Sequence, residues 1–377
     1  MINLAWVTSG FYSDENEFRG AAAIHNLARE ISMNPEIQLT VFALYYPFEK
    51  NDYNLYNAKV FTFSNYPPEK LTSLRKLRIW QAFRKKFAEE HNRIKFDVIH
   101  SFWAGEPGYN ASKVSQKFGI PLAANICGGE LAAYPEINYG QQLSSLQRYF
   151  IGRTFFSADL IVCGSDFIAD KASEFYDTSI VQKIRKIPFG VYESRFSEKL
   201  FPERSVSPRP VLVNIAHAVP VKAHADLLLA LIEVKKQYPG IQLNIYGNDG
   251  KGFILHKART MGLEENVKVF NFIEYNNIPL ALHNADVFVL SSVYESQNMA
   301  MLEAAFMGLP VVSTDVGVAR EITPFISKPR DTISLAQNII KALKQPKPGY
   351  KNLHDRFSLK ASAEQYFDLY KEISGKK

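Results

Sequence analysis

Two carboxylates eight residues apart, Glu295 and Glu303, lie in an otherwise apolar and small-residue segment, YESQNMAMLEAAFMGLPVVST, residues 294–314. The run DVFVLSS before them reads as a buried strand. That places Glu295 on the loop at a strand's carboxyl end, where open α/β sheets bind ligands. A helix is expected from about residue 298, so the backbone N–H groups of Asn298, Met299 and Ala300 would face the same crevice and favour an anion. Glu303 falls about one turn into that helix. One carboxylate in the loop and one on the helix suit a hydroxyl-rich ligand, because each accepts two hydrogen bonds from neighbouring hydroxyls. Two glutamates at a helix start also complement its dipole, which is a purely structural alternative.

Other residues carry weaker chemistry. GNDGKG, residues 247–252, could approach phosphates through backbone N–H groups, but it lacks the dinucleotide spacing and reads as a turn. His100 ends a strand, either facing a ligand or hydrogen-bonded within the core. No Asp-x-Asp triplet occurs, so the carboxylate pair that often holds a divalent ion on a diphosphate is missing from the sequence. With only Cys127 and Cys163, a disulfide scaffold and a cysteine-rich zinc site are excluded, and a reducing cytoplasm is the expected location.

These residues need elements to hold them. The chain has 377 residues, 46% hydrophobic and 22% charged, which suits two globular domains. Short apolar runs alternate with helical periodicity, predicting parallel sheets covered by helices. Strands are expected at 2–8, 38–44, 60–64, 98–102, 121–126 and 159–163, then at 211–216, 242–246, 267–272, 287–290 and 311–314. Between the two sets, residues 194–210 carry three prolines and no apolar period, as a domain boundary would. A final amphipathic helix is expected over 357–373. No twenty-residue apolar run occurs, and the opening INLAWVTSG reads as a strand rather than a signal peptide.

The net charge is +6, and residues 69–95 concentrate the basic side chains. There Leu74, Leu77, Trp80, Phe83 and Phe87 interleave with Arg75, Lys76, Arg78, Arg84, Lys85 and Lys86. Such a basic amphipathic helix either meets an anionic membrane surface, here the inner face of the plasma membrane, or buries its stripe in the core. Nucleic acid is a poorer partner, since no binding module accompanies the charges.

The 294–314 segment resembles the E-x7-E motif of family-4 glycosyltransferases of the GT-B fold, and so do its neighbours. DVIHSFW, GIPLAANICGGE, ADLIVCGSDF, IRKIPFGVYESRF, HNADVFVLSS and RFSLKASAEQYFDLYKEI are similar to family landmarks in the same order. The resemblance implies two Rossmann-like domains facing a central cleft, with the last helix crossing back to the first domain. Their expected extents are 1–194 plus 357–377 for the acceptor and 195–356 for the sugar-nucleotide donor. It further implies transfer of a hexose, with retention, from a nucleotide-diphosphate donor (UDP or GDP, with no separate cofactor) to a glycan or lipid-linked acceptor in cell-surface polysaccharide synthesis.

The resemblance also assigns roles residue by residue. Glu295 and Lys222 are the catalytic candidates. IAHAVPVKAHADLL matches the diphosphate segment, with Lys222 at its lysine and His217 where an arginine is common. Glu303 is assigned to the ribose, and the Asn298–Ala300 amides to the diphosphate. Gly20 stands for one of a glycine pair before the first helix, with Arg19 in the other place. Cys127, followed by Gly128, replaces a histidine that contacts the donor sugar. With no metal ligands in view, Lys222 and the helix amides would supply the positive potential. Two other readings stay open: a sugar-nucleotide-binding protein without catalysis, suggested by Cys127, His217 and the single Gly20, and a sugar-nucleotide epimerase of the same fold.

Overall fold

The structure, a computed structural model, describes residues 1–15, 21–48, 52–66, 68–202, 209–345, 349–350 and 352–375. The chain divides into two compact units, Met1–Gly190 with Leu359–Lys377, and Val191–Ser358. Among the described residues no helix is long and apolar enough to cross a membrane.

In the first unit the strands are β1 (Ile2–Gly10), β2 (Ile37–Tyr46), β3 (Asp52–Leu55), β4 (Ala58–Thr62), β5 (Val98–Phe102), β6 (Leu122–Asn125), β7 (Leu160–Cys163) and β8 (Ile184–Lys186). They form one sheet in the order β3-β4-β2-β1-β5-β6-β7-β8, parallel except where β3 runs against β4. Parallel pairing needs crossover helices on both faces, which is why Leu4, Ala5, Trp6 and Val7 of β1 are all fully buried. The connections run outward through β2 on one side of β1 and through β5 on the other, so the topology switches between β1 and β5.

Helix Ser73–Ile94 begins at the Thr72 side-chain cap. It buries Ile79, Trp80, Phe83 and Phe87, the last two packing edge-on or tilted on Phe42 of β2. The expected apolar stripe therefore divides: its aromatic part is core, whereas Leu74 and Leu77 are 71% and 48% exposed. Helix Leu359–Ser374 belongs to the first unit. It begins two residues later than the helix expected over 357–373, and a short helix, Leu353–Phe357, precedes it.

A buried chain of polar groups fixes this last helix. Trp6 Nε1 donates to the Tyr370 hydroxyl at 3.2 Å, and that oxygen lies 2.7 Å from His100 Nδ1. His100 Nε2 meets Asn125 Oδ1 at 2.7 Å, while Asn125 Nδ2 donates to the Tyr366 hydroxyl at 2.9 Å. Asn125 Oδ1 can only accept, so His100 carries its proton on Nε2 and accepts from Tyr370 at Nδ1. Burial pushes His100 down to about 3, with the Asn125 bond opposing, and the ring is neutral. His100 is thus a core residue, and its alternative placement facing a ligand does not hold.

In the second unit the strands are β9 (Val211–Ile215), β10 (Gln242–Tyr246), β11 (Val267–Phe270), β12 (Val287–Leu290), β13 (Val311–Thr314) and β14 (Phe325–Ser327). All pair in parallel, in the order β11-β10-β9-β12-β13-β14. Helices His224–Gln237 and Thr332–Lys344 cover one face with Leu227, Leu231, Leu335 and Ile339, all at most 1% exposed. Here the switch lies between β9 and β12.

Candidate functional site

Two loops meet at the carboxyl ends of β9 and β12. After β9 the chain makes a 3-10 turn, Pro220–Lys222, and Ala223 takes a left-handed φ of 49° to enter the next helix. After β12, Ser291 Oγ donates to the Lys222 carbonyl at 2.8 Å and Val293 N donates to the Val221 carbonyl at 2.8 Å. These bonds lock the two loops together and bring side chains 73 residues apart into contact: Lys222 Nζ donates to Glu295 Oε1 at 2.6 Å. Ser292 Oγ donates to the same oxygen at 2.6 Å.

The loop after β13 braces this arrangement from behind. Thr314 Oγ1 donates to the Ser292 carbonyl at 2.6 Å, and Val318 N to the Gln297 carbonyl at 3.2 Å. Gly317 has φ 55°, and a Cβ there would meet the Gln297 carbonyl oxygen at 2.4 Å, so only glycine fits. The GLPVVSTDVG run thus shapes the carboxylate loop as well as forming a strand.

Helix Met299–Phe306 starts one residue later than expected. Asn298, at φ 72°, is its cap, and its Oδ1 accepts from Met301 N at 2.8 Å. The Asn298 side chain thus serves the helix itself as its cap. The amides of Met299 and Ala300 remain in the first turn, where no helical carbonyl can reach them.

Glu303 is 3% exposed, and burial raises its pKa to about 7, opposed by a hydrogen bond from Tyr275 and by the charge of Arg195. Arg195 lies 4.8 Å over the Tyr275 ring. Neither Arg195 nor Tyr275 figured among the expected site residues. Arg195 stands in the IRKIPFGVYESRF landmark, so the signal was present without a role attached.

His217 lines a cavity of about 460 Å³ with Asn248, Asp249, Lys251 and Phe253. Its Nδ1 accepts from Asn248 N at 2.9 Å, which leaves Nε2 as the donor of the neutral ring. GNDGKG is a turn: Gly250 N donates to Asn248 Oδ1 at 2.8 Å, and Ile254 N to the Asp249 carboxylate at 3.0 Å. His224, by contrast, is a core residue 3.2 Å from Asn214 Oδ1, held near 4 chiefly by burial.

In the first unit, Glu130 closes the GGE turn on itself. Its carboxylate accepts from Cys127 N at 3.1 Å, Gly128 N at 2.7 Å and Ala104 N at 3.3 Å. The Gly128 amide is therefore bonded to this buried side chain. Burial, then the Glu130 charge, pushes the Cys127 thiol well up, so the thiol stays protonated. Gly20 and Arg19 lie outside the described residues. The structure brings Glu295, Lys222, Glu303, Met299 and Ala300 to one end of the second sheet. His217 stands on the loop beside them after β9, and Cys127 and Gly128 belong to the first unit.

Comparisons with known proteins agree with this architecture. Residues 196–362 match the family model described as glycosyl transferases group 1. Glycogen synthase of Mycobacterium tuberculosis is 24% identical over 261 residues, which is 66% of this chain and 61% of that protein. The chain thus spans less than two thirds of that relative's length. Sucrose-phosphate synthase from Thermosynechococcus elongatus superposes with a TM-score of 0.78 at 17% identity, covering all of both chains. Anabaena HepE, solved in complex with UDP and glucose, gives 0.68 at 16% identity over 98% of this chain and 99% of that one. The chain has the GT-B fold, and its residues 196–362 match the group 1 glycosyl transferase model.

Proposed function

We propose that this protein transfers a sugar from a nucleotide-diphosphate donor, a UDP-sugar in first place, to a hydroxyl of a glycan or lipid-linked acceptor. One observation carries the reading: the Lys222–Glu295 pair at the switch point of the second sheet, in front of the buried Glu303. The diphosphate displaces Glu295 from Lys222 and is held there and by the Met299 and Ala300 amides. Glu295, released from the lysine, accepts hydrogen bonds from hydroxyls of the transferred sugar. Glu303 accepts from the two ribose hydroxyls, beside Tyr275. His217 Nε2–H adds a donor at the nucleotide end. The solved relative that holds UDP and glucose supports the choice of base.

In the reaction the bond from the anomeric carbon to the diphosphate oxygen breaks, and its electron pair leaves with the diphosphate. The acceptor oxygen bonds to that carbon, and its proton passes to the departing diphosphate. Lys222 and the helix amides stabilise the developing charge, so this chemistry needs no divalent ion. We propose further that configuration is retained, that the first unit presents the acceptor, and that the second is the donor domain. The product belongs to cell-surface polysaccharide. Leu74 and Leu77, exposed among Arg75, Arg78 and Lys85, bring the chain to the anionic inner face of the plasma membrane.

Purified protein incubated with UDP-, GDP- and ADP-sugars, in the presence and absence of EDTA, tests this. Nucleotide release with a sugar product is expected, and with one base preferred. Tight donor binding with neither transfer nor hydrolysis would overturn the reading. Loss of activity in both Glu295→Ala and Lys222→Ala, with the fold intact, is the expected result at the site.

A further inference from the structure

The first unit holds a cavity of about 570 Å³, within the range of small-molecule sites, at the carboxyl ends of β1, β2 and β5. That position is the switch point of the first sheet, where such folds bind ligands. Phe11, Tyr12, Ile24, Tyr45, Phe48 and Trp103 supply most of its wall. Trp103 adopts φ 69°, a conformation bulky side chains rarely take and one that clusters at functional sites.

The Tyr45 hydroxyl and the His25 ring at this wall are already engaged. The Tyr45 hydroxyl donates to the Glu106 carboxylate and accepts from Trp80 Nε1 at 3.0 Å, while Lys76 Nζ holds Glu106 at 2.8 Å. His25 Nε2 lies 2.5 Å from the Tyr56 hydroxyl, and its ring packs 4.1 Å from Tyr12. What the cavity offers is a preorganised aromatic and aliphatic surface. A sugar placed there would bury several hydroxyls without partners, at a cost that stacking does not offset.

We infer that this cavity takes the hydrocarbon chain of an amphiphilic acceptor, leaving the acceptor's hydroxyl-bearing head at the mouth. The inference rests on the proposed transfer reaction with an acceptor presented by the first unit. It narrows that acceptor from a glycan or lipid-linked glycan to one with an apolar tail. Lys76 and Trp80 tie the cavity wall to helix Ser73–Ile94, whose first turns also expose Leu74 and Leu77.

Titration calorimetry of the full chain with methyl, hexyl and octyl β-D-glucoside, below micelle formation, tests this independently of turnover. Each methylene buried should tighten binding about fourfold, so octyl should bind about fifteenfold tighter than hexyl. Ala21→Phe, which fills the cavity, and Phe48→Asp, at a side chain 39% exposed, should each flatten the chain-length dependence while leaving UDP binding unchanged. Affinity independent of chain length, or a dependence that survives both variants, overturns the inference. Failure to bind UDP or UDP-sugars overturns the proposed donor site instead.

Discussion

In the proposed site Glu295 competes with the donor for Lys222, so Glu295→Gln should separate donor binding from sugar transfer. The pair is short, at 2.6 Å, and its side chains are only 23% and 10% exposed. At an effective dielectric of about 20 the bare attraction at this distance is roughly 6 kcal/mol, most of it offset by the desolvation of both groups. A charge-assisted hydrogen bond of this kind contributes about 1.5–3 kcal/mol net. The incoming diphosphate must give up at least the lower figure to take Lys222 from the carboxylate. Glutamine keeps the shape and the Ser292 partner but removes the charge, so UDP should bind at least about tenfold tighter, as about 1.4 kcal/mol or more predicts. Sugar transfer should fall about 100-fold, because the group that orients the sugar hydroxyls has lost its acceptor strength. Calorimetry with UDP and a single-turnover transfer assay measure the two quantities on the same preparation. UDP binding weakened tenfold or more in Glu295→Gln would refute the competition and place Glu295 on the nucleotide. The double variant Lys222→Met/Glu295→Gln should lose the tightening.

Three further outcomes follow from the same structure. Glu303 is raised to about 7 by burial and must be ionised to accept from both ribose hydroxyls, so UDP-glucose affinity should fall roughly tenfold from pH 8 to pH 6, with Glu303→Gln giving a flat profile. An equal slope in the variant would remove Glu303 from the donor site. Tyr370→Phe deletes the hydroxyl shared by Trp6 Nε1 and His100 Nδ1, and leaving both buried should cost about 2–4 kcal/mol in urea unfolding followed by tryptophan fluorescence. A loss below about 0.5 kcal/mol would show that water or another group replaces the hydroxyl. Leu74→Glu/Leu77→Glu should abolish cosedimentation with vesicles of anionic phospholipid without altering UDP affinity; unchanged cosedimentation would reject this turn as the membrane contact.

Much of the fold was legible because it is written in local periodicity. The strands at 98–102, 242–246, 287–290 and 311–314 were expected at the same bounds, each being a fully or half-buried apolar run between polar turns. The strands not foreseen were β3, β8 and β14, and all three lie at sheet edges. An edge strand buries less, so it needs no continuous apolar run and leaves a weaker trace. The basic amphipathic helix was ambiguous for a related reason. A stripe at helical spacing reports only that one face is apolar, and whether Phe42 or a lipid meets it depends on what folds alongside.

For the site, the sequence determined which groups are available and on which kind of element they sit: a carboxylate on a loop after a buried strand, a second one turn into a helix, a lysine after another strand. Tertiary structure alone decided who meets whom. Lys222 and Glu295 touch because β9 and β12, distant in the chain, are neighbours across the switch point. Glu130 serves its own turn and His100 serves the last helix because burial leaves them no other partner. The reason is the range of the forces involved: backbone preference and hydrophobic period act over a few residues and can be read along the chain. Hydrogen bonds and charge pairing act over a few ångströms, and only the folded chain specifies which groups come that close.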